Sequence, residues 1–129
     1  IIMKKLLLYI FLVLIFCEKS FADQVLFCSM NTHVKYSDKE TWENLEKRKW
    51  TVTIKSKSLK IFNHKIELDS EYIIISQNEL YLNAFADYSN KSDGAWVEFF
   101  SLNKKTNEAK LASTNSYGET YHIGKCRKN

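Results

Sequence analysis

The sequence contains no proline, only three glycines and very little arginine, since Arg48 and Arg127 are the two arginines among 19 basic residues. With 45% hydrophobic and 14% aromatic residues, the composition excludes a disordered or low-complexity protein and favours one globular domain. The lysine surplus, like the abundant Ile, Asn, Phe and Tyr, is typical of AT-rich codons. It is therefore weaker evidence for an anionic partner than clustered arginines would be.

Sequence motifs for catalysis, metal binding and nucleotide binding are also missing. His33, His64 and His122 are far apart, and none has metal-ligand spacing to another His, Cys or acidic residue. No nucleophile elbow supports a Ser/His/Asp triad, and nothing in the sequence places paired carboxylates such as Glu98 and Glu119 in one cleft. The sequence therefore predicts a non-catalytic protein with no metal and no cofactor.

Residues 1–22 have the pattern of an export signal. Two lysines stand near the start, residues 6–16 form an unbroken apolar run, and small residues precede a predicted cleavage site between Ala22 and Asp23. Eleven apolar residues fall short of the roughly 20 that span a bilayer as a helix, so the mature form is not expected to span a membrane. We expect the mature domain, residues 23–129, to be periplasmic or secreted.

Removal of residues 1–22 would leave two cysteines and little net charge. Three of the 19 basic residues and one of the 15 acidic residues lie in this segment, so 16 basic and 14 acidic residues remain and the net charge is about +2. So small an excess does not predict a polyanion binder, and we expect no nucleic-acid partner. Cys17 would be removed as well, and the remaining pair, Cys28 and Cys126, predicts a disulfide in an oxidising compartment.

Most of the mature chain shows the alternation or the short apolar runs of β-strands. The clearest stretch is 49–55, where Trp50, Val52 and Ile54 share one face and lysines and threonines share the other. We predict about eight short strands in total. They lie among nine candidate segments: 24–30, 49–55, 59–62, 65–68, 72–76, 80–86, 95–102, 109–114 and 117–123.

Other local patterns predict a helix and the centre of the core. A capping box that begins at Ser37 predicts one short helix over residues 37–46. Residues 72–76 are apolar on both faces, which is typical of a central strand. We expect Trp96 and Phe99 to be core residues of the hairpin that follows.

Consecutive hairpins predict an all-β protein with a small antiparallel meander barrel. A disulfide between the first and last strands requires these strands to lie close together, as they do in an up-and-down barrel. A two-sheet β-sandwich is the alternative, because a disulfide can also join two packed sheets. The interior of a barrel of eight short strands is filled, or nearly filled, by its own side chains, so we expect no roomy ligand cavity.

Three features of the chain resemble known small exported proteins: Cys28 in the first mature strand, the Asn-Lys-Lys-Thr-Asn-Glu-Ala-Lys-Leu hairpin at 103–111, and the terminal Gly-Lys-Cys at 124–126. They resemble uncharacterised exported proteins of AT-rich marine bacteria and their phages. More distantly, the chain is similar to the periplasmic inhibitors of C-type lysozyme, which are small disulfide-stapled β-barrels with a cysteine near each end. The resemblance implies an inhibitor function but supplies no functional residue.

Basic residues around the second strand support one binding hypothesis. We call Arg48, Lys49, Lys55 and Lys57 the basic stripe. If Trp50 faces inward, the three lysines project outward together, toward an anionic envelope polymer or a partner protein. The sequence thus predicts an exported, non-catalytic surface-binding module. The alternatives are an inhibitor of a lysozyme-like enzyme, a structural envelope protein, and a lysine face that only aids solubility.

Overall fold

The structure, a computed structural model, describes residues 2–18 and 23–128, with the side chains of residues 3–12 and 23–128. In this part of the chain there are one helix, α1 (Ile2–Glu18), and eight strands. The strands are β1 (Gln24–Tyr36), β2 (Glu43–Ile54), β3 (Ser58–Asn63), β4 (Leu68–Gln77), β5 (Tyr81–Asp87), β6 (Val97–Asn103), β7 (Glu108–Asn115) and β8 (Gly118–Lys128). The predicted cleavage site after Ala22 lies outside the described residues.

The eight strands form a closed antiparallel barrel. Each strand pairs with its neighbours in the chain, and β8 pairs with β1 to close the ring. The predicted all-β meander barrel is confirmed, and the sandwich alternative is wrong. Cys28 and Cys126 lie opposite each other in the β1 and β8 register and form the predicted disulfide. The two chain ends of the barrel are therefore joined covalently at its seam.

The alternation along the strands decides which side chains fill the barrel. Trp50, Val52 and Ile54 are buried as predicted, while the residues between them face outward because successive strand residues point to opposite faces. Inward-facing residues of the other strands complete a hydrophobic core at the end of the barrel that holds the β2–β3, β4–β5 and β6–β7 loops. Its members include Leu26, Leu59, Leu82, Ala84, Leu102 and Ala109.

At the seam, β8 packs against β1 without room for a side chain at Gly124. A Cβ atom there would lie 1.9 Å from the carbonyl oxygen of Ser29. At the β6–β7 turn, Asn107 has a φ of 59°, which confirms the left-handed conformation that its residue type favours.

The helix predicted over residues 37–46 is wrong. Residues 37–42 form a turn and bends, and β2 begins at Glu43. Glu43, Asn44 and Leu45 pair with Val34, His33 and Thr32 of β1, so the backbone groups that a helix would bond internally are used in the sheet. Sheet pairing with a long first strand therefore overrides the local capping signal. The helix of the structure is α1, in the predicted export segment.

Two of the predicted strand positions also differ from the structure. Residues 64–67 form a turn, with Glu67 at a φ of 52°, so no strand covers 65–68 and β4 begins at Leu68. Residues 72–76 belong to β4, but a closed barrel has no central strand. Tyr72 is buried inside it, whereas Ile73 and Ile75 are exposed on the outer surface.

The assignment of Phe99 to the core is wrong by one residue. The side chain of Phe99 is 51% exposed, and that of its neighbour Phe100 is 1% exposed. Phe99 and Phe100 are adjacent, and successive residues of a strand point to opposite faces. The sequence alone does not determine which of the two rings faces inward. Trp96, the other expected core residue, is half-buried and lines an interior cavity.

The N-terminal helix α1 carries exposed apolar side chains, including Leu6, Leu7 and Leu8. Within the described residues, no helix has both the length and the apolar content needed to cross a membrane.

Candidate binding cavity

The barrel holds a cavity of about 670 Å³ at the end opposite the hydrophobic core. It lies among the last residues of β1, β3 and β7, the first residues of β2, β4, β6 and β8, and the β5–β6 connection. Its aliphatic lining is formed by Val34, Leu45, Ile61, Ile66, Leu68 and Leu111. A volume of this size suits one small organic molecule.

The expectation of a filled interior is therefore wrong. An eight-stranded barrel is wide enough either to be filled or to hold one small ligand, and strand length and side-chain size decide between the two. β1 and β2 contain 13 and 12 residues, so they extend well past the core layers. At the cavity end of the barrel, some inward positions hold small residues, such as Thr32 on β1 and Ser113 on β7. These small side chains leave space between the walls.

Glu98 organises one wall of the cavity. The Tyr72 hydroxyl donates to Glu98 Oε1 at 2.6 Å, and the Trp96 indole N–H lies 3.3 Å from Glu98 Oε2 and 3.2 Å from Ser113 Oγ. Burial, together with the negative charge of Glu98, raises the pKa of Tyr72 far above its usual value, so its hydroxyl stays a donor at all ordinary pH values. Each carboxylate oxygen of Glu98 thus accepts a hydrogen bond from the protein itself.

Three aromatic rings cluster beside this carboxylate. Tyr88 packs edge-on against Tyr72, with ring centroids 6.3 Å apart, and against Trp96, at 6.0 Å. The Tyr88 hydroxyl donates to the carbonyl oxygen of Glu71 at 2.7 Å, which fixes the ring at the cavity wall. The cluster offers flat apolar surfaces to a bound molecule.

The facing wall, on β2, carries donors that the protein does not satisfy. Arg48 lines the cavity, and its buried Nε has no hydrogen-bond partner in the described part of the chain. Trp50 is 3% exposed, and its buried Nε1 also lacks a partner there. A buried N–H without an acceptor costs about 1 to 3 kcal/mol, so the folded protein would gain stability from an acceptor at this place.

His122 completes the β2 side of the cavity. Its Nδ1 lies 2.7 Å from Thr32 Oγ1, and its ring centroid is 4.6 Å from that of Trp50. Burial lowers the pKa of His122 to about 4. The positive charge of Arg48 and, to a smaller extent, electrostatic repulsion from His33 act in the same direction. The imidazole is therefore neutral at pH 7, and Arg48 supplies the positive charge of this wall.

The structure separates Arg48 from the rest of the basic stripe. Lys49 is exposed on the outer face of β2, whereas Arg48, one residue away, points into the barrel because adjacent strand residues alternate. Lys55 and Lys57 are exposed in the β2–β3 loop, six or more residues from Lys49, a distance of roughly 20 Å along an extended chain. The three lysines therefore share the outer surface but do not form one compact site.

A different set of basic side chains does lie together on the outer face. Lys49 and Lys125 both pair with Ser29, from opposite sides, so they flank it on neighbouring strands. Arg127 lies next along β8, with its guanidinium 5.7 Å from the centre of the Phe27 ring. These residues border a second pocket, of about 510 Å³, on the outer surface.

The remaining candidate residues are dispersed. His33 stacks on Tyr121 with ring centroids 4.6 Å apart, and His64 Nε2 lies 2.7 Å from Thr51 Oγ1 on the outer face of β2. Glu119 is exposed, whereas Glu98 faces inward, so the structure does not bring this pair into one cleft. Among the described residues, no group of three His, Cys, Asp or Glu side chains could hold a metal ion.

Comparison with known proteins gives no match, whether against protein-family models, curated proteins or solved structures.

The sequence interpretation missed the cavity residues Tyr72, Trp96, Glu98 and the inward role of Arg48. A signal for Arg48 was present, because it shares strand parity with Trp50, Val52 and Ile54 and a charged residue in an inward series is rare. The sequence carries no comparable signal for Glu98. Its contact with Tyr72 depends on the order of the strands around the ring.

Proposed function

We propose that this protein is an exported, non-catalytic binding protein that holds a small molecule in the cavity of its barrel. The observation that carries the proposal is the cationic side chain of Arg48, which lines the cavity, forms no ion pair within the described chain and has a buried Nε without an acceptor there. Native proteins pair the great majority of buried polar and charged groups, and a ligand that brings an acceptor would pair with this guanidinium. The cavity, rather than the outward lysines, is then the binding site.

The hydrogen bonds around the cavity favour binding over catalysis. Both oxygens of Glu98 accept bonds from the protein, and Nδ1 of His122 is engaged with Thr32. Groups held in this way shape and polarise a site. A general acid or base needs a proton-transfer partner on the substrate within reach of an uncommitted atom, and among these groups that atom is Nε2 of His122.

Export is supported by two separate features. The apolar segment at the N-terminus follows the pattern of a signal sequence. The disulfide between Cys28 and Cys126 suits an oxidising compartment, because such bonds are rare in proteins of the reducing cytosol.

The proposal can be tested with N-phenyl-1-naphthylamine, a neutral dye that fluoresces in apolar sites. We expect saturable binding of one dye per protein, which Thr120→Phe should abolish because residue 120 lines the cavity. The matched control is Ala112→Phe, an added ring at an exposed position on the neighbouring strand β7. Unchanged dye binding in Thr120→Phe, or equal loss in both variants, would contradict the cavity as the site.

A second candidate function, binding of an anionic envelope polymer by the outer face, is favoured by the pairing of Lys49 and Lys125 around Ser29. If it operates, Lys49→Gln with Lys125→Gln and Arg127→Gln should weaken binding to lipopolysaccharide at low salt, because exposed charges act over about a Debye length. A control with Lys91, Lys104 and Lys105 changed to Gln has the same net charge. Equal binding by both triple variants would eliminate this outer-face cluster.

A further inference from the structure

The cavity has walls of opposite charge. Arg48 lies on β2 and Glu98 on β6, and three strands lie between these two in either direction around the eight-stranded ring. The two side chains therefore project from opposite walls. Within the described residues they form no ion pair, because no nitrogen of Arg48 lies within 4.0 Å of a carboxylate oxygen.

The two charges differ in how the protein satisfies them. Glu98 receives hydrogen bonds from Tyr72 and Trp96, and its charge is stabilised in place. Arg48 has a buried Nε with no acceptor, and the indole N–H of Trp50 beside it has none either. The β2 wall thus presents one positive charge, that of the Arg48 guanidinium, for which the described chain supplies no carboxylate partner.

The neighbours of Arg48 fix the charge that the acceptor should carry. His122 is neutral at pH 7, so one positive charge lies at the β2 wall. Asp69 also lines the cavity, but it is exposed, so water screens its charge. A single negative charge would balance Arg48, whereas a phosphate monoester, at close to −2, would leave excess negative charge in a partly buried place.

We propose, on the basis of the binding function above, that the ligand is an organic acid whose carboxylate is bound by the guanidinium of Arg48. The planar guanidinium matches the two oxygens of a carboxylate. The apolar part of the acid lies against Tyr88, Trp96 and Leu111, which line the cavity away from β2. Repulsion by Glu98 keeps the carboxylate off the β6 wall, so the ligand has one orientation.

A set of probes with one common body tests the charge requirement. The set consists of 3-phenylpropionate, 3-phenylpropanol, 3-phenylpropylamine and 3-phenylpropyl phosphate, each measured by displacement of N-phenyl-1-naphthylamine at pH 7. We expect the carboxylate to bind about 10- to 100-fold more tightly than the alcohol, the range that a charge-assisted hydrogen bond provides. The amine should bind more weakly than the alcohol, and the phosphate more weakly than the carboxylate.

Variants assign the effect to Arg48. Arg48→Gln should remove the preference for the carboxylate over the alcohol, measured as the ratio of the two affinities in the same variant. The matched control is Lys49→Gln, which removes the same charge one residue away on the outer face and should keep the full preference. Arg48→Lys should recover part of the preference, since it restores the charge but not the two-pronged geometry.

The outcomes separate this proposal from the binding function. If the dye binds but carboxylate and alcohol displace it equally, or the amine or the phosphate displaces it best, the carboxylate proposal is wrong and the cavity function stands. If neither the dye nor any probe binds, the cavity function itself fails. The probe comparison uses the unaltered protein, so it decides even if Arg48→Gln does not fold.

Discussion

The hydroxyl of Tyr72 on β4 reaches Glu98 on β6 across the intervening strand, at 2.6 Å. It can do so because the inward residue of β5 in register with Glu98 is Ala86, whose methyl group leaves the space above it open. A larger side chain at Ala86 would occupy the path between the hydroxyl and the carboxylate. One small residue on β5 thus allows a hydrogen bond between strands that are not neighbours.

Removal of this hydroxyl should destabilise the protein. We expect Tyr72→Phe to lower the free energy of unfolding by about 1 to 3 kcal/mol, because a partly buried carboxylate loses a donor. Urea unfolding followed by tryptophan fluorescence measures the change. Tyr121→Phe, which removes a hydroxyl from an exposed ring on β8, should change stability by less than about 0.5 kcal/mol. Equal effects in the two variants would show that the Glu98 bond does not contribute.

The adjacent residues Phe99 and Phe100 should respond very differently to the same substitution. Phe100→Ala removes a ring that is 1% exposed and should cost about 3 to 5 kcal/mol, because it leaves a cavity in the core. Phe99→Ala removes a ring on the outer face that contacts Phe85, with centroids 5.1 Å apart, and should cost about 1 kcal/mol or less. The opposite order in thermal or urea unfolding would place the wrong ring inside the barrel.

Acid should destabilise the barrel through His122. Its pKa is about 4 in the folded protein and near 6.5 when unfolded, so between these values the unfolded chain binds a proton that the folded protein does not. The stabilising effect of neutral His122 is complete above pH 6.5 and decreases as the pH falls toward 4, by on the order of 3 kcal/mol. Unfolding free energies measured from pH 7.5 to pH 4 test this slope.

Two variants isolate the contribution of this histidine. His122→Gln should flatten the slope between pH 6.5 and pH 4, because a neutral side chain then replaces the titrating one. His64→Gln, at an exposed position, should leave it unchanged. A His122→Gln protein with the same pH dependence as the unaltered protein would assign the slope to other groups.

The disulfide should account for a large part of the stability. Cys28 and Cys126 are 98 residues apart, and a loop of this length predicts about 4 to 5 kcal/mol in the chain-entropy description. The double change to Ser should lower the unfolding free energy by a comparable amount.

The intact mass of protein recovered after export should correspond to a chain that begins at Asp23 and is two hydrogens lighter than its reduced form. A mass that retains Cys17 would contradict the predicted cleavage.

More of the fold than of the cavity could be predicted from the sequence, and particular residues show why. The alternation of Trp50, Val52 and Ile54 with polar residues fixes their burial, and the cysteine pair requires the first and last strands to meet. Both are properties of single segments or of one covalent bond. The number and order of strands follow from the hairpins between them.

The cavity depends on properties that no single segment carries. Its volume follows from how far β1 and β2 extend past the core, and that extension depends on residues 43–45 pairing with β1 rather than continuing the helix that the capping signal at Ser37 favours. The bond between Tyr72 and Glu98 requires strands two positions apart in the ring. Such relationships arise only when several strands are assembled in one curved sheet.

The covalent seam also determines how the protein would carry tension. A pull on the two ends of the barrel, at Gln24 and Lys128, meets the Cys28–Cys126 bond within a few residues of either end. The load then passes through that bond and bypasses the other strands. The hydrogen bonds that join the successive strands from β2 to β7 therefore bear almost none of it. A tether at each end could hold this barrel under force while its cavity keeps its shape.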